Sequence, residues 1–258
     1  MKKENKKKED YFMSIDWFIS NVKTIFYAIL IALFIRTFFF QPFFIPSSSM
    51  EPTLVIGDRL FVSKYKYGYS RHSFPLSINL LNDRIFFDNP ERGDVIVFKV
   101  PLNSNENKDS FGVDYIKRVI GLPGDNIKMK NGKIIINDKE IKRKKLRTDQ
   151  KLLSNGKILE IRVFLEFLPN GKSYEIYDIY DDGPSDNFNT ITVPPNSYFV
   201  LGDNRDNSKD SRFVGPIPKV NLVGKAEIIF FSTKGSTILE FWKWPFELQY
   251  KRLFNLIR

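Results

Sequence analysis

The sequence predicts a mainly β fold, in which an N-terminal transmembrane helix precedes a β-rich domain that carries an inserted second β-lobe. Two observations lead to this prediction. An uncharged apolar run occupies residues 24–35, near the start of the chain. Beyond it, short runs of Val, Ile and Phe alternate with Gly-Asp and Asn-Gly pairs, the pattern of short strands joined by turns. At 258 residues and 42% hydrophobic side chains, the chain can build an anchored domain with its own core.

The apolar run is long enough to span a bilayer when it is extended to residues 17–40, which cover roughly 36 Å at about 1.5 Å per residue. Lys23 and Arg36 lie near its ends, where long basic side chains can reach the membrane interface. A basic tail, residues 1–16, precedes it. The lysines ahead of the apolar run are Lys2, Lys3, Lys6, Lys7, Lys8 and Lys23.

Only Arg36 follows the apolar run closely. The positive-inside rule therefore predicts a single-pass protein of the cytoplasmic membrane, with its N-terminus in the cytoplasm and the remainder on the outer, periplasmic side. A buried core helix is one alternative. A cleavable signal peptide is another, with Ser47 and Ser49 as the small residues of its cleavage site. The length of the run and the bulky residues 38–40 favour an uncleaved anchor.

The β-rich part divides at the change from motif-bearing to more charged sequence. Residues 41–126 and 198–237 form the two parts of the main domain, and residues 127–197 form the inserted lobe. An Asn131-Gly132 pair predicts a type I′ hairpin. Strands are predicted at residues 60–62, 95–100, 134–136, 198–201 and 226–231.

Residues 238–258 mix aromatic and basic side chains, such as Trp242 beside Lys243. This mixture is typical of a membrane interface. An ordinary terminal helix that packs on its own domain fits equally well, and both interpretations stay open.

Composition limits the chemistry and the partners. The absence of cysteine excludes disulfides, thiolate nucleophiles and Cys-ligated zinc. A net charge of +10 fits an anionic partner, and the anchor favours membrane lipid. The excess of basic residues fits solvated surface lysines equally well. The basic residues are scattered and no RNA-binding motif is present, so we expect no nucleic acid partner.

A serine cluster follows the anchor, and Ser49 lies at its end. A serine nucleophile needs a base, yet the single histidine, His72, lies in a polar loop. Lys117 is the candidate base because it lies in an apolar, strand-like run, where burial would lower its pKa. The local sequence alone favours a solvated pair of Lys117 and Arg118 on an edge strand.

A third segment, residues 201–216, is rich in Asp and Asn. An EF-hand that began at Asp203 would need Gly at its sixth position and Glu at its twelfth. Ser208 and Val214 occupy those positions, so we expect a turn and no metal site.

Four motifs in this order resemble the bacterial type I signal peptidases (leader peptidases), over essentially the whole chain. They are SSSMEPTL, RGDVIVFKVP, DYIKRVIGLPGD and GDNRDNSKDSRFVGPIP, with NLVGKA after them. The resemblance implies a membrane-bound serine endopeptidase that removes signal peptides from exported precursor proteins through a Ser-Lys dyad and an acyl-enzyme. It implies no metal and no cofactor.

The resemblance also implies roles for individual residues. Ser49 falls at the nucleophile and Lys117 at the general base. Ser47 falls at a side chain that lines the oxyanion hole, and Ser208 at the serine that orients the lysine. Asp210 and Arg212 match a structural ion pair. The residues that match shallow apolar pockets for small substrate side chains are Ile45, Pro46, Met50, Leu54, Tyr115 and Ile116.

One departure from the family pattern is Ser48, which stands where many members have glycine. A positive φ there would strain a serine by about 1–3 kcal/mol. Three alternatives to a general signal peptidase remain: a dedicated pilus-protein processor, a self-cleaving repressor, and a catalytically silent peptide-binding domain. The anchor stands where a repressor would need its DNA-binding helix-turn-helix. The presence of both Ser49 and Lys117 disfavours the silent domain.

Overall fold

One long helix, α1 (Lys2–Phe38), begins the chain. We describe it, and the rest of the fold, from a computed structural model that covers residues 2–74, 81, 83–101, 112–152, 156, 158–236 and 240–258. The segment Ile15–Phe38 is apolar and long enough to cross a membrane, and its most apolar stretch is not buried inside the protein. The buried core helix is therefore the wrong alternative.

The helix differs from the predicted anchor at both ends. It begins at Lys2, so the basic tail and the apolar segment form one continuous helix. It stops at Phe38, two residues before the predicted end, because the chain enters strand β1 (Phe40–Phe44) and pairs with β2 (Asp58–Ser63). Pro42 lies within β1, where an edge strand tolerates the missing N–H.

The described part of the chain contains fourteen strands, and each pairs antiparallel with its neighbours. The mainly β fold class is thereby confirmed, and every predicted strand overlaps an observed one. After β1 and β2 come β3 (Val95–Lys99), β4 (Asp114–Gly121), β5 (Asn126–Lys130), β6 (Lys133–Ile136), β7 (Lys139–Glu140), β8 (Lys142–Leu152), β9 (Ile158–Phe167), β10 (Ser173–Asp178), β11 (Phe188–Thr192), β12 (Ser197–Leu201), β13 (Ile217–Pro218) and β14 (Leu222–Ser232), with the short helices α2 (Ser211–Val214) and α3 (Trp244–Glu247).

Three sheets result from this pairing. The main sheet has the order β1-β2-β14-β3-β4-β12-β13. A four-stranded sheet has the order β11-β5-β6-β7, and a three-stranded sheet the order β10-β9-β8. We call strands β5–β11 the second lobe. Its β5–β6 hairpin turns at Asn131 and Gly132, whose φ angles of 51° and 70° are those of the predicted type I′ turn.

The second lobe and the main sheet share one hydrophobic cluster. Ile134 of β6 and Ile176 of β10 belong to the same buried cluster as Ile120 of β4 and Leu201 of β12. Apolar surface is stabilising when water is removed from it, so this shared cluster holds the second lobe against the ends of β4 and β12.

The C-terminal segment, described for residues 240–258, packs on the main sheet. Leu248 forms a β-bridge with Thr233, and Arg252 forms a two-point ion pair with the buried Asp58, at 2.9 and 2.5 Å. Packing on its own domain is thus the observed arrangement, although it is built from short turns around α3. Residues 237–239, which include the predicted start of this segment, lie outside the described residues. Several side chains remain exposed on it, among them Phe241, Trp242, Phe246 and Phe254.

Candidate active site

The structure brings Ser49 and Lys117 into contact. Ser49 lies in the turn after β1, and Lys117 lies on β4. The Lys117 Nζ and the Ser49 Oγ are 2.7 Å apart. Both residues are buried, with 8% and 4% of their surface exposed. A hydroxyl and an amine at this distance can exchange a proton directly.

The neighbours of β4 explain why Lys117 is buried. This strand pairs with β3 over residues 114–118 and with β12 from Arg118 onward, and the turn that carries Ser49 contacts the Lys117 amine. Lys117 is 4% exposed and its neighbour Arg118 is 1% exposed. The prediction of a solvated basic pair is therefore wrong. Lys117 contacts Ser49, and Arg118 pairs with Asp203.

Burial lowers the pKa of Lys117 to about 8. The carboxylates of Asp210 and Asp203 act in the opposite direction, and the Arg212 guanidinium lowers the pKa further. With a pKa near 8, about a tenth of the amine is neutral at pH 7, against well under a thousandth for an exposed lysine. Lys117 can therefore accept a proton near neutral pH.

Two further contacts hold the Lys117 amine. It donates to the Ile116 carbonyl oxygen at 2.8 Å, and it lies 5.4 Å from the centre of the Tyr115 ring. Ser208, the predicted lysine-orienting residue, lies on the wall of the same cavity. The hydrogen bonds that the described structure gives to the Lys117 amine are those to Ser49 and Ile116, so its bond to Ser208 stays a prediction.

The other serines of the cluster have distinct positions. The Ser47 Oγ lies 3.4 Å from the Ser49 Oγ and lines the cavity, within reach of an oxygen bound near Ser49. Ser48 is not among the described residues with positive φ, so serine is unstrained there. Its hydroxyl accepts a hydrogen bond from the Asn207 Nδ2 at 2.7 Å.

The loop formed by residues 202–210 hydrogen-bonds to the backbone of the turn that carries Ser48 and Ser49. The Asn204 N–H donates to the Ser49 carbonyl at 3.1 Å, and the Asn204 Nδ2 donates to the Ser48 carbonyl at 3.1 Å. Gly202 permits the close approach of the loop to this turn. A Cβ at this position would lie 2.2 Å from the Ser208 Oγ and 2.5 Å from the Ser49 carbonyl oxygen. Nothing in the local sequence indicated these contacts.

Two of the buried ion pairs that hold the 202–210 loop join it to α2 and to β4. Asp210 and Arg212 form the predicted pair, with side chains 0% and 2% exposed and a two-point contact at 2.8 Å. The second pair joins Arg118 to Asp203 through two hydrogen bonds of 2.8 and 2.7 Å. No role for Arg118 was predicted, because a Lys-Arg dipeptide does not reveal which of its members will be buried and paired.

A cavity of about 610 Å³ opens beside Ser49 and Lys117. Four of the predicted substrate-binding residues line it: Ile45, Pro46, Tyr115 and Ile116. Five further apolar residues line the cavity and were not predicted: Phe43, Phe44, Val97, Val113 and Phe213. The cavity is thus mostly apolar and has a hydroxyl and an amine at one end.

Met50 and Leu54 lie elsewhere than predicted. Both have no exposed surface, and they pack in a core cluster that also contains Ile45 and Ile116. They support the wall of the cavity from behind and do not line it. The resemblance placed both residues at the pocket by their position in the motif, and a motif position does not show which side chains will be covered by β2 and β14.

This geometry suits nucleophilic attack on a carbonyl carbon. Ser49 supplies the oxygen, Lys117 can take its proton, and Ser47 can donate to an oxyanion. Ser49 and Lys117 are almost completely buried, and low exposure to water strengthens the electrostatic effect of such groups on a bound substrate.

Comparison with known proteins agrees with this chemistry. Residues 18–231 match the family model described as signal peptidase, peptidase S26. The signal peptidase I of Rickettsia prowazekii is 42% identical over 217 residues, which are 81% of this chain and 78% of the relative. That of Rickettsia akari is 43% identical over 218 residues, 81% of this chain and 77% of the relative. A crystal structure of a signal peptidase I from Enterococcus faecalis is 26% identical, with a TM-score of 0.30, and the match covers 54% of this chain and 97% of that one.

The family model matches residues 18–231, which include most of the apolar segment Ile15–Phe38, Ser49, Lys117 and the 202–210 loop. The two Rickettsia proteins each match 81% of the chain. The chain therefore belongs to the signal peptidase family S26, whose members are serine endopeptidases that remove signal peptides.

Proposed function

We propose that this protein cleaves signal peptides from exported precursors with Ser49 as its nucleophile and Lys117 as its general base. The observation that carries the proposal is the 2.7 Å contact between the two side chains at the end of an apolar cavity. Membership of family S26 supports the reaction.

The first half of the reaction forms an acyl-enzyme. Neutral Lys117 removes the proton of Ser49 as the Ser49 Oγ attacks the scissile carbonyl carbon. The carbonyl oxygen becomes an oxyanion, which the Ser47 hydroxyl and the Ser49 backbone N–H stabilise. The carbon–nitrogen bond then breaks, and the charged Lys117 gives its proton to the leaving amine. The signal peptide remains esterified to Ser49, and the mature protein departs.

The second half releases the signal peptide. A water molecule takes the place of the departed amine, and neutral Lys117 removes one of its protons as the water attacks the ester. The ester bond breaks, and the protonated Lys117 returns a proton to the Ser49 oxygen. Ser208 would orient the lysine through this cycle with its buried hydroxyl.

The substrate would bind as an added strand along β4. Residues 114–118 of β4 pair with β3 on one side, whereas β12 pairs with β4 only from Arg118 onward. Residues 114–117 therefore offer a backbone edge toward the cavity. Small side chains at the −1 and −3 positions would fit against Ile45, Tyr115 and Ile116.

Lipid is the second partner in this proposal. The segment Ile15–Phe38 would cross the cytoplasmic membrane with the N-terminus in the cytoplasm, as the excess of lysines before it suggests. The family and the single apolar helix support membrane association. The exposed Phe241, Trp242 and Phe246 would lie in the outer lipid interface, because aromatic rings favour that region.

A pair of matched precursors tests the proposed function. The detergent-solubilised full chain is incubated with an exported precursor that has Ala at −1 and −3, and with the same precursor carrying Phe at −1. Mass spectrometry should locate a cut after Ala at −1 in the first precursor and no cut in the second, because the resemblance to type I signal peptidases implies small side chains at −1 and −3. Cuts at unrelated positions would contradict the proposal. Failure of the folded protein to cut several precursors would favour a dedicated processor or a silent binding domain.

The pH–rate profile of cleavage should have an acidic limb, in which the rate falls as the pH drops below about 8. As the pH falls through the pKa of Lys117, the amine gains a proton and can no longer act as a base, so the rate should approach a tenfold loss per pH unit. The groups that face this amine are Asp203, Asp210, Arg212 and the Tyr115 ring. The measurement is kcat/KM for a peptide substrate between pH 5 and 10. A constant rate between pH 5 and 7 would remove Lys117 from the role of base.

Lys64 provides the control for this assignment. It is 2% exposed, and burial lowers its pKa to about 8 as well, but its Nζ donates to the Ser73 carbonyl and lies outside the cavity. The Lys64→Met variant should keep the same acidic limb. Loss of the acidic limb in this variant would show that the limb arises from protonation of Lys64 and not of Lys117.

A further inference from the structure

The second lobe reaches the active site through one buried carboxylate. Glu166 lies on β9 and is 1% exposed. Its two oxygens accept hydrogen bonds from the Arg205 guanidinium at 2.8 and 2.5 Å, and Oε2 also accepts from the Tyr174 hydroxyl at 2.8 Å. Arg205 belongs to the 202–210 loop and is 3% exposed. Three buried polar side chains thus join the lobe to the loop that grips Ser49.

Arg205 occupies the middle of that loop and contacts both of its arms. Its Nε donates to the Gly202 carbonyl at 3.2 Å, beside the Ser208 hydroxyl and the Ser49 carbonyl. Its own carbonyl accepts from the Arg212 Nη2 at 2.6 Å. The Arg205 side chain thus contacts the segment next to Ser49, and the Arg205 backbone contacts the Asp210–Arg212 pair.

Tyr174 couples this cluster to the strand that carries Lys117. The Arg118 guanidinium carbon lies 4.0 Å from the centre of the Tyr174 ring, a stacked cation–π contact. Arg118 pairs with Asp203 at the start of the same loop. One tyrosine of the second lobe thus lies between the two buried guanidinium–carboxylate pairs.

The lobe holds the loop at two more points. The Tyr177 N–H donates to the Asp203 carbonyl at 2.9 Å, and the Asp206 carboxylate accepts from the backbone N–H groups of Ile179 and Tyr180. The 202–210 loop therefore lies between the second lobe on one side and residues 48–49 on the other. Among the described contacts between the second lobe and the 202–210 loop, the Glu166–Arg205 pair alone combines two charged and fully buried side chains.

We infer that Glu166 of the second lobe is a positioning residue for the cleavage reaction: by holding Arg205, it fixes the 202–210 loop against Ser49 and Lys117. Glu166 does not touch substrate. The inference rests on the proposed Ser49–Lys117 dyad, and it assigns the second lobe a part in that chemistry. A guanidinium buried to this extent needs a matching carboxylate, so the loop cannot keep its position when the charge of Glu166 is removed.

Glu166→Gln, which keeps the shape of the side chain and removes its charge, tests the inference in the full-length protein. We expect kcat to fall about 10- to 100-fold, the range for a small misplacement of reacting groups, with KM changed by less than about twofold. The acidic limb should move to higher pH. Water that enters a loosened loop reduces the burial of Lys117, and burial is the main cause of its lowered pKa.

A second variant covers the case in which Glu166→Gln does not fold. Tyr174→Phe removes one hydroxyl and keeps the ring on Arg118, so it should fold and still lower kcat by a few fold. Asp178→Asn is the matched control. Asp178 is also buried in the second lobe and pairs with Arg143 and Arg162 at 2.8 and 2.6 Å. The Asp178→Asn variant should have a lower melting temperature than the wild type and the same pH profile of kcat/KM.

Each outcome has one meaning. A folded Glu166→Gln protein with normal kcat and an unmoved acidic limb overturns the inference, as does the same limb shift in Asp178→Asn. If Glu166→Gln does not fold, a Tyr174→Phe protein with normal kcat overturns it. Absence of cleavage by the wild-type protein would instead contradict the proposed function, so the two failures are distinguishable.

Discussion

Ser49→Ala should abolish cleavage, with a loss of kcat on the order of 10⁴- to 10⁶-fold. Alanine has no oxygen to attack the scissile carbonyl, and the neighbouring Ser47 hydroxyl lies 3.4 Å away without a contact to Lys117 of its own. Cleavage of a precursor, followed over time by gel and mass spectrometry, measures the loss. Activity close to that of the wild type would move the nucleophile to another residue, with Ser47 the first to examine.

A binding measurement separates this chemical defect from misfolding. The Ser49 carbonyl oxygen still accepts from the Asn204 N–H in the variant, because this contact belongs to the backbone. The cavity walls are also unchanged. The folded Ser49→Ala protein should therefore bind precursor and, added in excess, inhibit the wild-type enzyme by competition. A variant that neither cleaves nor competes would indicate a collapsed site, and the loss of activity would then say nothing about the nucleophile.

Lys117→Met should cause a comparable loss, because the unbranched apolar side chain fills the same space without an amine. Lys117→Arg makes the test sharper. Arginine keeps the positive charge, but its guanidinium stays protonated at every accessible pH and cannot serve as a base. Both variants should therefore be inactive if Lys117 transfers protons, whereas substantial activity in Lys117→Arg would reduce its role to that of a fixed charge.

Lys64→Met is the matched control in this assay too. Lys64 resembles Lys117 in burial and in its lowered pKa, yet it contacts a backbone carbonyl and no serine hydroxyl in the described structure. We expect this variant to lose stability and to retain cleavage per folded molecule. Equal inactivation of both lysine variants would show that a buried charge, wherever it lies, affects the fold more than the reaction.

Local patterns predicted the positions of five strands. Short apolar runs, several of them next to Gly-Asp or Asn-Gly turns, predicted β2, β3, β6, β12 and β14, because strand and turn preferences depend on near neighbours in the chain. The end of the anchor was less predictable. Residues 39 and 40 are as apolar as the helix before them, and only the pairing of β1 with β2 stops the helix at Phe38.

Burial could not be predicted in the same way. Met50 and Ile45 are both apolar residues next to the serine cluster, but Met50 is in the core and Ile45 lines the cavity as well. Lys117 and Arg118 are adjacent cations, and one contacts Ser49 while the other pairs with Asp203. These differences depend on which distant segments cover each face of a strand, and the chain near these residues does not contain that information.

The sequence by itself determined the chemical groups and their order: an apolar segment long enough for a membrane, a serine cluster, a lysine in an apolar run and an Asp- and Asn-rich loop. It also determined the family, because those motifs occur together. The tertiary structure alone decided that Ser49 meets Lys117 across 68 residues of chain, that burial lowers the pKa of the lysine, and that Glu166 of the second lobe holds the loop behind them. The physical reason is that proton transfer depends on distances within about 3 Å and on the exclusion of water, and both arise only when remote strands pack together.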